Sequence, residues 1–101
     1  PGHTLVIPKK HARNLLEMTP DKTADLFNVV STVTKKVENA TQPQGMNIIS
    51  NMEEIAGQSV FHTHVHILPR YSQDDDLKID FIAHEPDFDR LAQLAKDISN
   101  H

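Results

Sequence analysis

The sequence predicts an α+β fold, and three observations support this prediction. Three short segments rich in β-branched and apolar residues predict strands. A long amphipathic helix pattern follows the first of these segments, and a second amphipathic pattern ends the chain. With 101 residues, of which 38% are hydrophobic, the chain can build one core and not two. We therefore expect residues 1–101 to form a single domain.

The first strand and the long helix come first along the chain. The strand is predicted at residues 3–7, and a short helical turn is expected at residues 12–18. The helix is predicted to begin after Thr19 as N-cap, with Pro20 at its first position, and to end at about residue 39. Its buried face is predicted from apolar residues at helical spacing, namely Leu26, Val30, Val33 and Val37.

Two more strands are predicted in the middle of the chain. Residues 46–51 alternate in the way that is typical of a strand, and residues 60–68 form an apolar and histidine-rich segment before Pro69. The stretch between them, residues 52–59, contains Gly57 and is predicted to be a loop.

The C-terminal part is predicted to be a loop, an extended segment and a helix. Residues 70–76 include three consecutive aspartates, which we interpret as a solvated loop and not as a metal site. Residues 78–83 are predicted to be a strand or an extended segment. Residues 86–99 are predicted to be an amphipathic helix, with Phe88, Leu91, Leu94, Ala95 and Ile98 on its apolar side.

Composition and charge exclude several classes of protein. The formal net charge is −4, which argues against binding to a nucleic-acid backbone. No apolar run approaches the ~18 residues of a membrane span, and no leader pattern is present, so no membrane partner is expected. The chain contains no cysteine, hence no disulfide and no thiolate ligand, and this favours a cytoplasmic location.

Three histidines alternate along the third predicted strand. Side chains of a strand point to opposite faces in turn, so His62, His64 and His66 are predicted to share one face at spacings of roughly 6.5–7 Å. The other face is predicted to pack in the core and carries Phe61, Thr63, Val65 and Ile67. Histidine is a rare residue type, so chance is a poor explanation of this row.

Two kinds of chemistry fit such a row. Imidazole is a common zinc ligand, although three ligands at nearly linear spacing cannot converge on one ion without help from elsewhere. Alternatively, one imidazole is a nucleophile and its neighbours orient it and hold an anionic substrate. Residues 56–59 precede the row and offer exposed N–H groups, an amide and a hydroxyl, which are the donors that bind phosphate. This turn favours the second interpretation.

The chain resembles the histidine triad (HIT) family. Residues 62–68 match its alternating histidine signature, with Thr63 as a mild departure, and residues 1–11 look like its first well-marked segment. Residues 57–60 resemble its phosphate-binding turn and residues 68–71 its usual exit from the triad, so the resemblance covers residues 1 to about 72. The family implies an antiparallel sheet and a homodimer.

The resemblance also implies roles for individual residues. His64 would be the nucleophile that attacks the α-phosphorus of a nucleotide and forms a nucleotidyl-histidine intermediate. His62 and His66 would flank it, and His3 would support the triad from the neighbouring strand. The phosphate-contacting positions would be Asn51, Gln58 and Ser59. The nucleotidyltransferase branch has Gln where this chain has His66, so hydrolysis is favoured over transfer.

The predicted function is hydrolysis of a nucleoside phosphoramidate or a dinucleoside polyphosphate, with no cofactor required and a small nucleotide as the partner. One alternative is a nucleotide-binding regulatory protein with little turnover. Another is a structural zinc site that uses His3 and His62, which would need ligands absent from this chain. Family members usually carry several tens of residues before the segment seen here, so we expect an incomplete nucleoside pocket. No role is predicted for three surface histidines: His11, His84 and His101.

Overall fold

The computed structural model describes residues 1–75, 77–78 and 80–101 and confirms the predicted α+β fold. Its strands are β1 (Thr4–Val6), β2 (Gly45–Ile49) and β3 (Val65–Arg70), and its helices are α1 (Pro20–Thr41) and α2 (Phe88–Ser99). Two 3₁₀ turns lie at Leu15–Glu17 and Glu54–Ala56. The first of these is the short helical turn predicted after β1, and the second lies in the predicted loop before the histidines.

The three strands form an antiparallel sheet in the order β1-β3-β2. The strand that carries the histidine signature is therefore central. His66 lies opposite Leu5 on one side and opposite Ile49 on the other. This position holds the backbone of His66 from both sides.

The predicted bounds of the third strand are wrong at both ends. Pairing begins at Val65, not at residue 60, and continues through Pro69 to Arg70. The segment before Val65 is held instead by Thr63, whose N–H and Oγ1 both donate to the carbonyl of Ala12, at 2.7 and 2.8 Å. The predicted alternation nevertheless continues through this segment, because Thr63, Val65 and Ile67 are buried while all three histidines are half-buried.

The core lies between the sheet and α1. Val6, Val65 and Ile67 from the sheet contact Leu26 and Val30 from the helix. Partly buried residues complete this core, namely Leu15, Met18, Val33, Val37 and Met46, so the predicted buried face of the helix is confirmed. The histidines alternate with Val65 and Ile67, and therefore they face away from α1.

One residue of the predicted core face is not in the core. Phe61 is 40% exposed, and the guanidinium of Arg13 lies 4.1 Å from the centre of its ring. Phe61 precedes the strand, so the sheet does not carry it into the core, and it is covered by a cation instead.

The ends of α1 differ slightly from their prediction. Thr19 is the N-cap residue and Pro20 begins the helix, as predicted, but the Thr19 side chain makes no capping hydrogen bond. The helix ends at Thr41, two residues later than predicted, because Gln42 adopts a left-handed conformation with φ of 51° and Pro43 follows it.

The C-terminal part differs from its prediction in one element, and the predicted loop after β3 is present. Among the described residues from 77 to 87 there is no strand, so the strand alternative for residues 78–83 is wrong there, and Ile79 lies outside the described residues. The predicted solvated loop is anchored by Asp75, which forms an ion pair with Arg70 at 2.5 Å. Asp76 lies outside the described residues.

The second helix has no buried residue. It begins at Phe88, two residues later than predicted, after Asp87, whose carboxylate accepts a hydrogen bond from the N–H of Arg90. Its predicted apolar side is exposed, and Phe88 and Ile98 keep about three quarters of their accessible surface. Within the described part of the chain, no helix has both the length and the apolar character that a membrane span requires.

Candidate active site

His64 lies one residue before the central strand and is half-buried. Its Nδ1 is 2.8 Å from the carbonyl oxygen of His62. A carbonyl oxygen can only accept a hydrogen bond, so Nδ1 must carry the hydrogen. The neutral ring therefore has its lone pair on Nε2, and no residue in the described ranges forms a hydrogen bond with that atom. Ser50 steadies the same residue by donating from Oγ to its carbonyl, at 2.9 Å.

His66 lies next to this ring. The centres of the His64 and His66 rings are 4.9 Å apart, and the rings meet edge to face. On its other side, Nδ1 of His66 is 2.9 Å from Nε2 of His3, the residue that was predicted to support the triad. Burial lowers the pKa of His66 below its ordinary 6.5, and the nearby charges of His64 and His3 lower it further. These surroundings therefore favour the loss of a proton from His66.

His62 takes a different position from the one predicted. Its ring contacts His11, with the two Nδ1 atoms 3.0 Å apart, and its Nε2 is 3.0 Å from the carbonyl oxygen of Pro8. Because its side chain is engaged with these two residues, the prediction that His62 and His66 both flank His64 is wrong for the His62 ring. His62 supports His64 through its backbone carbonyl instead.

His11 is exposed, as predicted for a surface histidine, but the structure adds a partner that was not predicted. His11 lies 51 residues before its partner His62 along the chain. The hydrogen bonds from Thr63 to Ala12 bring these two segments together. No periodicity within either segment indicates such a pairing, so the sequence carries no local signal for it.

The distance between the His11 and His62 rings can be compared with that of two histidine ligands on one zinc ion. Two nitrogens that bind one tetrahedral zinc ion at ~2.0–2.1 Å lie about 3.3 Å apart, close to the 3.0 Å seen between the Nδ1 atoms. Among the described residues, however, no group of three or more His, Cys, Asp or Glu side chains could hold a metal. His3, the predicted second ligand, contacts His66 instead. A zinc site therefore stays a prediction.

Two of the predicted phosphate contacts have free polar groups. Ile49 lies opposite His66 in the β2–β3 register, and extending that register brings Asn51 level with His64. The amide of Asn51 lies against Gly57, where a Cβ atom would be 3.5 Å from the Asn51 Nδ2. Within the described ranges, neither Asn51 nor Ser59 uses its side chain in a hydrogen bond. Both side chains are therefore available to a ligand.

Gln58 has a structural position, and its predicted phosphate contact is corrected accordingly. It is only 1% exposed. Its Nε2 donates to the carbonyls of Arg13 and Val60, and its Oε1 accepts from the N–H of Glu53, at 2.8 Å, and from the amide of Asn14. Its own N–H donates to the carbonyl of Glu53. Gln58 therefore has no donor left for a phosphate and instead stabilises the loop that carries Asn51 and Ser59.

Known proteins share this arrangement of elements. A family model described as the HIT domain matches residues 1–73. The chain is 40% identical over 87 residues to the protein hit of Bacillus subtilis, which covers 86% of this chain and 60% of that protein. It is 33% identical over 99 residues to adenosine 5'-monophosphoramidase hnt1 of Schizosaccharomyces pombe, which covers 98% of this chain and 71% of that protein.

A solved structure agrees with the fold. The crystal structure of SMU.412c from Streptococcus mutans superposes with a TM-score of 0.90 at 54% sequence identity, covering 98% of this chain and 62% of that one. The chain thus spans about 60% of the length of several proteins that it matches. The histidine-bearing central strand, the helix behind it and these similarities together show that the chain belongs to the HIT family.

Proposed function

We propose that this chain carries the catalytic centre of a nucleotide hydrolase that cleaves at the α-phosphorus of a nucleoside phosphoramidate or a dinucleoside polyphosphate. The observation that carries the proposal is the 2.8 Å contact between Nδ1 of His64 and the carbonyl of His62. It places the lone pair of the neutral ring on Nε2, which is the state that a nucleophilic imidazole needs. All groups that the mechanism uses belong to the protein, so no cofactor is required.

The reaction proceeds in two displacements. Nε2 of His64 attacks the α-phosphorus, and the bond from phosphorus to the leaving nitrogen or oxygen breaks with its electron pair on the leaving atom. His66, adjacent to the attacking ring, donates a proton to this atom from its protonated form and becomes neutral. Water then attacks the nucleotidyl-histidine, returns a proton to His66 and releases the nucleoside monophosphate and free His64.

The contacts of His66 suit this exchange of protons. When protonated His66 donates from Nδ1 to Nε2 of His3, its Nε2–H remains available to protonate the leaving atom. Burial of His66 and its proximity to His64 and His3 favour the release of that proton. The free side chains of Asn51 and Ser59 would donate to the phosphate oxygens, where negative charge increases in the transition state.

Among the two substrate classes, the phosphoramidate has additional support. The relative from Schizosaccharomyces pombe is named as an adenosine 5'-monophosphoramidase and matches 98% of this chain. We place the protein in the cytoplasm, because its sequence contains no cysteine and therefore no disulfide.

We also propose a second copy of the chain as partner, giving a homodimer. The accessible surface of the chain is 7999 Å², whereas a folded monomer of this mass exposes about 5,800 Å². The exposed apolar side of α2 contributes to this excess. An excess of roughly 2,000 Å² is comparable to the surface that one subunit buries in an obligate dimer.

Rapid acid quench tests the nucleophile. With adenosine phosphoramidate labelled at phosphorus, the native protein should retain label on the chain, and His64→Ala should retain none. Turnover of His64→Ala should fall on the order of 10³-fold or more, as expected when a covalent nucleophile is removed. AMP binding should survive, because Asn51 and Ser59 are still present.

Two control variants make this result specific. His62→Ala should be milder, because alanine keeps the carbonyl that holds His64. His84→Ala removes an exposed histidine outside the site and should behave like the native protein. Label trapped on His64→Ala, or more than about a tenth of native turnover in that variant, would rule out His64 as the nucleophile. AMP binding without measurable turnover in the native protein would favour the regulatory alternative.

A further inference from the structure

The backbone of Glu53 adopts a conformation that is almost confined to glycine. Its φ is 73° and its ψ is 162°. This region of backbone space is strained for any residue with a Cβ atom, and such residues persist there only where the surrounding contacts hold them. Glu53 lies in the loop between Asn51 and Ser59, so the strain is located within the candidate phosphate-binding segment.

Every polar group of Glu53 has a partner. Its carboxylate accepts two hydrogen bonds from Arg13, both at 2.7 Å, and one from the amide of Asn14 at 2.8 Å. Its N–H donates to the side chain of Gln58, and its carbonyl accepts from the N–H groups of Ala56 and Gln58. Arg13 and Asn14 hold the pKa of the Glu53 carboxyl below its ordinary value. The side chain is therefore ionised at neutral pH, as the two-pronged ion pair requires.

Arg13 connects Glu53 to the other end of the same loop. Its guanidinium covers the ring of Phe61, the residue before His62. Its carbonyl accepts from the buried amide of Gln58. Arg13 therefore contacts this part of the chain at three places: Glu53 near the beginning of the loop, Gln58 near its end, and Phe61 just before the histidines. We name the Glu53, Arg13 and Asn14 side chains the loop clamp.

We propose that Glu53 is a positioning residue for the phosphate contacts, and that the strained backbone is maintained because it brings the Glu53 carboxylate onto Arg13 and Asn14. The loop clamp holds the path of residues 51–59, and with it the distance of Asn51 and Ser59 from His64. The identity of the ligand in this inference rests on the proposed function. The effect of Glu53 on the loop does not depend on that function.

Glu53→Gly is the decisive variant. Glycine adopts the observed φ and ψ without strain, so the fold should be retained while the carboxylate is lost. The KM for adenosine phosphoramidate and the Kd for AMP should each rise about tenfold, and kcat should fall as well, because Asn51 and Ser59 contact the phosphate oxygens in the bound state and in the transition state. Glu53→Gln keeps an acceptor for Asn14 but loses the ion pair and should give an intermediate effect.

Variants of Arg13, alone and combined with Glu53→Gly, distinguish a positioning role of Glu53 from a general loss of structure. Arg13→Met keeps a long stem beside Phe61 but removes the guanidinium, and its effect on AMP affinity should match that of Glu53→Gly. The double variant should be no worse than either single one, because both remove the same ion pair. Glu54→Gln is the matched control: Glu54 is the adjacent exposed acid, forms no side-chain hydrogen bond within the described residues, and should bind AMP normally.

Hydrogen exchange measures the loop independently of any ligand. Amides of residues 51–59 should exchange at least about tenfold faster in Glu53→Gly than in the native protein, whereas α1 should be unaffected. Unchanged loop exchange would overturn the proposal, and so would native KM and Kd values in Glu53→Gly. If the native protein neither binds AMP nor hydrolyses the phosphoramidate, the proposed function fails, and the exchange result alone decides whether Glu53 positions the loop.

Discussion

At the scale of single residues, the alternation of histidines could be predicted but their partners could not. The pattern 62–64–66 was enough to place three imidazoles on one face, because strand periodicity is local. The tautomer of His64 depends on a carbonyl two residues earlier, and the other contacts join residues 51 and 63 positions apart. Such pairs depend on how distant segments meet, and no single segment contains that information.

Gln58 provides a test at this scale. Gln58→Ala should lower the free energy of unfolding by about 2–3 kcal/mol, because the N–H of Glu53 and the carbonyl of Arg13 lose buried partners. Urea unfolding followed by circular dichroism measures this change. Gln93→Ala is the control, since it removes only an exposed hydrogen bond to Asp97 and should change stability by less than about 0.5 kcal/mol. Native stability with lost AMP binding in Gln58→Ala would restore its original assignment as a phosphate ligand.

At the scale of secondary structure, the helices were more predictable than the central strand. The stripe of α1 repeats over 22 residues and needs no knowledge of the sheet. The beginning of β3 at Val65 is set by its neighbours, because β1 reaches Val65 with Val6 and β2 reaches His66 with Ile49. Residues 60–64 have strand-like alternation but no strand beside them, so propensity alone placed the boundary too early.

The segment that follows β3 makes the stability of the fold depend on pH. The pKa of Asp75 is lowered from 3.8 to about 2. The largest cause is the hydrogen bond from the N–H of Tyr71, and the hydrogen bond from the Arg70 side chain lowers it further. A carboxyl with a depressed pKa in the folded state stabilises the fold above its unfolded pKa, and this contribution is lost as pH falls from about 4 toward 2. Asp75→Asn should therefore lose less stability than the native protein between pH 6 and pH 2.5, as read from urea midpoints. Asp74→Asn, a neighbouring exposed change, should keep the native pH dependence.

At the scale of the whole molecule, the chain is open on the side of α2. Its radius of gyration is 16.4 Å, whereas a compact domain of this length has about 13 Å. Amphipathic spacing predicted the helix and its apolar side but contains no information about the surface that covers that side. This explains why the element was predicted and its exposed position was not.

The proposed homodimer is tested on this helix. Leu94→Asp places a charge on the apolar side of α2 and should convert a dimer of the native protein to monomers, measured by sedimentation equilibrium. Gln93→Asp introduces the same charge at the neighbouring polar position and should leave the native mass unchanged. Equal masses for Leu94→Asp and the native protein would show that this side of α2 is not a subunit interface.

The strand order also determines the sequence of events during synthesis. β1 and β2 each pair with β3 and not with one another, so neither has a hydrogen-bonded neighbour until the last strand is available. A ribosome must therefore release the first residues of β3, Val65 and His66, before any part of the sheet can close, while the backbone hydrogen bonds of α1 are local and can form much earlier. Closing β1 onto β3 then joins positions about 60 residues apart, which carries a substantial entropic barrier. Until that moment the apolar face of α1 lacks its sheet and stays exposed to water, which makes the nascent chain prone to aggregation.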